Sequence, residues 1–139
     1  MTEITQFALE SPSQAICGQR QAPKLSLESC TRNDVTVVYC RGRIVYREEA
    51  VVLSEKIADL LLQTRNLVLE LSGIEMIDSA GLGELVVVLM WVQASGCSIK
   101  LAGPSRRIQE LLELTNLASV FEIHPTLADA LLFWPAQVA

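Results

Sequence analysis

A chain of 139 residues that is 50% hydrophobic has the length of one domain and apolar side chains enough for a sizeable core, which excludes global disorder. Its net charge of −5 leaves no broad basic face, since Arg41 with Arg43 and Arg106 with Arg107 are only close pairs, so no nucleic-acid partner is expected. The longest apolar run, residues 85–92, falls far short of the ~20 residues a membrane span needs.

Residues 1–23, with Ser, Gln, Pro12 and Pro23 and no sustained period, read as a loose N-terminal extension before a domain over 24–135. Glu3 and Glu10 do not fit the basic start of a signal peptide. Leu25-Ser26-Leu27-Glu28-Ser29 alternates strictly, residues 31–34 carry turn chemistry, and residues 35–40 are rich in β-branched side chains, which together predict a hairpin ended by Gly42. Apolar residues at 50, 53, 57, 60 and 61 predict a helix over 48–63. Residues 67–71 are almost wholly apolar, as a strand covered on both faces requires. A second helix follows from about Ala80, with Leu82, Leu85, Val86, Leu89 and Val92 at helical spacing and Gly96 suited to its C-terminal end. Residues 98–102 predict a strand, and Ser105 an N-cap for a helix over 106–114. A last strand is expected over 120–123, and Thr126 with Asp129 marks the start of a helix over 127–133. Strand and helix thus alternate after the hairpin. The expected fold is α/β, one domain with a mixed, mostly parallel sheet, an N-terminal hairpin and about four helices.

The segment Ile77-Asp78-Ser79-Ala80-Gly81-Leu82-Gly83 falls where the buried strand hands over to the second helix. Unpaired backbone N–H groups and the positive end of the helix dipole gather there, so a negative charge can be held without a basic side chain. Gly81 and Gly83 leave the first turn bare for a partner's close approach. Asp78 either caps the helix or orients Ser79 for a partner; the Ser79 hydroxyl either caps or accepts a phosphate. The glycine spacing matches neither a dinucleotide fingerprint nor a phosphate-binding loop, which would need a Lys, so no cofactor is expected.

Four cysteines at 17, 30, 40 and 97 show no C-x-x-C pairing and read as reduced thiols of a cytoplasmic protein; with His124 the only histidine, no zinc site is expected. His124 lacks a nearby second base, and no carboxylate pair accompanies a nucleophile, so the chain is not read as an enzyme.

The 77–83 segment resembles the signature of the STAS domain, the sulfate transporter and anti-sigma factor antagonist family, and the likeness in element order extends over residues 25–133. It is closest to the bacterial anti-sigma factor antagonist (anti-anti-sigma factor) branch, in which the Ser after the Asp is phosphorylated by a partner kinase. Carried over by position, the phosphosite is Ser79. Ala80 stands where many members have a second Ser or Thr. The resemblance implies an anti-sigma factor with serine kinase activity as partner, a phosphatase that reverses the modification, and an interface formed by Asp78, Ser79, Ala80, Gly81, Leu82 and Gly83. Leu82 is its expected apolar contact, and Gly42 and Arg43 are expected nearby. A non-catalytic scaffold in a signalling or transport assembly is the alternative, and the oligomeric state stays open, a homodimer included.

Overall fold

The computed structural model describes residues 25–132 and Trp134; the expected N-terminal extension, Cys17, Phe133 and Pro135 lie outside the described residues. The alternating and β-branched runs form β1 (Ser26–Arg32) and β2 (Val35–Ile44), antiparallel from Ser26 opposite Arg41 to Arg32 opposite Val35. Their two-residue turn places Asn33 (φ 54) and Asp34 (φ 69) in the left-handed region, which these short polar side chains tolerate and which suits the twist of a hairpin.

Then follow α1 (Tyr46–Leu60), β3 (Asn66–Ile77), α2 (Ser79–Ala94), β4 (Ser98–Ala102), α3 (Arg106–Leu114), a 3-10 turn (Leu117–Ser119), β5 (Glu122–His124) and α4 (Leu127–Leu132). The sheet order is β1-β2-β3-β4-β5, parallel from β2 onward. Each new parallel strand is added on the same side of the last, so three crossovers of one hand all fall on one face. The main core lies there: Leu53 and Ile57 of α1, Leu85 and Val88 of α2, and Ile108 and Leu112 of α3 pack over Val38, Leu67, Leu69 and Leu101. On the other face Ala130 and Trp134 cover Val37, Val68 and Ala102. This double cover explains why residues 67–69 are apolar at successive positions.

Several boundaries differ from the sequence expectation, and β1 itself runs through Thr31 and Arg32, which read as turn. β3 runs on to Ile77 because it carries extra residues against β2, with register shifts between Tyr39 and Arg41 and between Gly42 and Arg43. Ser72 and Gly73 therefore look like loop in sequence but lie in a bulged strand; a Cβ at Gly73 would stand 3.0 Å from the Cys40 carbonyl oxygen. Gly42 does not end β2. At φ 109 it bends the strand, which continues to Ile44. α1 spans Tyr46–Leu60 rather than 48–63, and the 3-10 turn at Leu117–Ser119 delays β5 to Glu122. The helix starts at Ser105 and Thr126 are as read: Ser105 Oγ accepts from the Ile108 N–H at 3.2 Å, and Thr126 Oγ1 from the Asp129 N–H at 3.1 Å.

Candidate functional site

β3 ends with Ile77 beside Ile44 of β2, and the next N–H, that of Asp78, donates to the Ile44 carbonyl at 3.3 Å. Asp78 then N-caps α2: its Oδ1 accepts the Gly81 N–H at 2.9 Å. Its Oδ2 accepts the Tyr46 N–H, also at 2.9 Å, at the start of α1. Tyr46 has φ 60, a left-handed conformation that costs a residue with a β-carbon ~1–2 kcal/mol, and the bond from Asp78 helps to hold it there. The Tyr46 N–H, followed by that of Gly81, favours the ionised carboxylate and holds Asp78 below its ordinary value of 3.8. Asp78 thus caps α2 and extends that cap by a clamp on a second helix.

Ser79 is the first residue of α2 and is exposed, and no hydrogen bond ties its hydroxyl to another described residue. It is not the cap. Ala80 and Leu82 are half-buried, and Leu82 packs against the main core. Gly81 is buried, and a Cβ there would lie 2.1 Å from the Ile44 carbonyl oxygen and 2.8 Å from Ile77 Cγ2. Of the two motif glycines, Gly83 alone is exposed with open space around it. The two glycines therefore differ in purpose: one lets α2 dock on β2, the other leaves outward backbone bare. The expected reserve of unpaired N–H groups is also smaller than read, because the Asp78 carboxylate already occupies the helix start.

The structure extends the site beyond the 77–83 segment. Gly83, Val87 and Met90 follow it at helical spacing on α2, and Met90 is 60% exposed. Arg43 lies opposite Met76 in register and its Nη2 sits 3.5 Å from Met76 Sδ, one residue before the motif, whereas Gly42 is buried opposite Ile74. Beside Met76 a hollow of about 350 Å³ opens, lined by Ile77, Arg107, Ile108, Leu111 and Leu114. The apolar positions Ile74 and Ile77 flanking Glu75-Met76 were the available signal that β3 continued to this point.

The remaining reactive groups are engaged elsewhere. His124 Nε2 pairs with Glu122 Oε2 at 2.6 Å, and Glu122 with the buried Lys100 at 3.2 Å. Burial raises the Glu122 carboxyl, but the bonds from His124 and Lys100 outweigh it and leave the group below 4.5. Burial pushes the Cys40 thiol up to about 12, so at neutral pH it is an unreactive core group. Among the described residues no group of three or more His, Cys, Asp or Glu side chains is placed to hold a metal ion, and no helix is long and apolar enough to cross a membrane.

The family model for the STAS domain matches residues 26–130. The anti-sigma-B factor antagonist of Bacillus subtilis is 34% identical over 91 residues, which are 66% of this chain and 82% of that protein. Relatives from Thermotoga maritima and Thermotoga neapolitana, whose names carry the antagonist role provisionally, are 36% and 37% identical; the match spans 45% and 47% of this chain and only 56% and 58% of theirs. An anti-sigma factor antagonist from Mycobacterium paratuberculosis superposes with a TM-score of 0.63 at 28% identity, over 77% of this chain and 91% of that one. Unphosphorylated SpoIIAA, an anti-sigma factor antagonist, gives 0.63 at 16% identity over 77% and 92%, a likeness of fold alone.

Proposed function

The chain belongs to the STAS domain family, and from that membership and the exposed Ser79 we propose that it is an anti-sigma factor antagonist that works by partner switching. Unphosphorylated, it binds an anti-sigma factor with serine kinase activity across the start of α2 and so frees a sigma factor for transcription. Phosphorylation of Ser79 ends the complex, and a phosphatase restores it. The chain is the kinase's substrate, acts in the cytoplasm and performs no catalysis of its own.

The observation that supports this most is the pairing of an unbonded, exposed hydroxyl with a carboxylate already seated on the helix start. A phosphate on Ser79 adds about −1.5 to −2 charge next to Asp78 and meets donors that Asp78 has taken. Within a closed protein interface that dianion also loses its water. A thousandfold loss of affinity needs ~4 kcal/mol, within the range of like-charge repulsion plus desolvation of one interfacial charge. Incubation with the cognate kinase and ATP followed by mass spectrometry tests the assignment. Ser79 is expected to carry the phosphate; modification chiefly at the exposed Ser72, Ser95 or Ser105, or none with a kinase that binds, would contradict it.

A further inference from the structure

On the sheet face away from α1, α2 and α3, the hairpin extends beyond its cover. α4 is six residues long, and beside it a hollow of about 330 Å³ is walled by Val35, Val37, Tyr39, Leu127, Leu131 and Trp134. Arg32, Asn33 and Cys30 complete the lining at the hairpin. This size is at the low end of ligand pockets, ~300–1,000 Å³, and suits a small molecule rather than a folded partner.

The polar groups in the lining fix the ligand's sign. Among the described residues no Asp or Glu lines the hollow. The Arg32 guanidinium can only donate and pairs with no described carboxylate. Trp134, itself only 8% exposed, keeps its Nε1–H shut from water, so it offers the hollow ring surface rather than a donor. Behind the indole stands the Lys100 ammonium, 4.1 Å from the ring centroid and bonded to the Ala130 carbonyl at 3.0 Å. That cation–π contact braces the Trp134 wall from behind. We propose that this hollow binds a small free monocarboxylate with an apolar body, of the medium-chain fatty acid type, its head on Arg32 and its tail along Val35, Val37, Leu127, Leu131 and the Trp134 ring. The site lies on the sheet face opposite α2 and Ser79.

The full chain with Trp91→Phe leaves Trp134 as its single tryptophan, so the emission of Trp134 reports on the hollow directly. Titration with octanoate is expected to give a saturable change, and octanol to bind at least tenfold more weakly. Arg32→Gln should bring octanoate down to the level of octanol. Leu131→Asp, at an exposed position, should abolish binding while the far-UV circular dichroism stays that of the parent. No saturable change with octanoate, equal affinity for octanol, or undiminished binding by a folded Leu131→Asp chain would each overturn the proposal.

Discussion

Asp78 serves two backbones at once, and its removal should therefore cost more than an ordinary cap. Asp78→Ala leaves the Gly81 and Tyr46 N–H groups without their acceptor and is expected to destabilise by ~2 kcal/mol, the upper end for an N-cap. The folded carboxyl lies below its ordinary 3.8, so its contribution is complete above that value and fades as pH falls through the folded pKa. Denaturant titrations across pH should then show the gap between parent and Asp78→Ala at full width near pH 7 and closing below 3.8. A gap of constant width would mean that the carboxylate charge is not what the two N–H groups need. Ser79, which caps nothing, behaves differently: Ser79→Ala should change stability by less than ~0.5 kcal/mol and keep partner binding, whereas Ser79→Asp weakens it. Equal affinities of the two variants in a fluorescence anisotropy titration would count against a charge-operated switch.

At the scale of the element, α2 was readable from its apolar spacing, but the different duties of its two glycines were not. Gly81 and Gly83 look alike in sequence, and only the approach of Ile44 separates them. Gly81→Ala puts a methyl into the Ile44 carbonyl and should cost about 3 kcal/mol, so larger residues there report on folding and not on docking. Gly83→Ala meets open space within a helix and should stabilise by about 0.5–1 kcal/mol. If a partner packs on that bare backbone, the same variant binds more weakly while melting higher, and thermal denaturation with calorimetry would read both signs. Leu82, half-buried against the core, is a poorer docking probe than sequence suggested. Met90→Glu is the cleaner one: a 60% exposed side chain whose replacement should leave the melting temperature within a degree or two and reduce partner affinity at least tenfold.

For the whole molecule, the order of elements was legible because each has its own period: alternation in β1, helical stripes in α1 to α3, double-sided burial in β3. Two features were hidden for physical reasons. Bulges in β3 place Ser72 and Gly73 inside a strand, where their composition signals a turn. The clamp from Asp78 to Tyr46 joins groups 32 positions apart, and no local pattern encodes a contact that only the parallel pairing of β2 with β3 creates. The motif itself was visible as a strand-to-helix junction, and tertiary structure supplied what surrounds it: an outward hydroxyl, an inward glycine and an apolar helix face beginning at the same residue. The central claim is that one phosphate on Ser79 decides whether this surface is occupied. Isothermal titration of the cognate anti-sigma kinase into the unphosphorylated chain and into the chain stoichiometrically phosphorylated at Ser79 tests it most directly. Tight binding of the first and a Kd raised ~1,000-fold for the second, ~4 kcal/mol, is the expected result; equal affinity for both forms would contradict it.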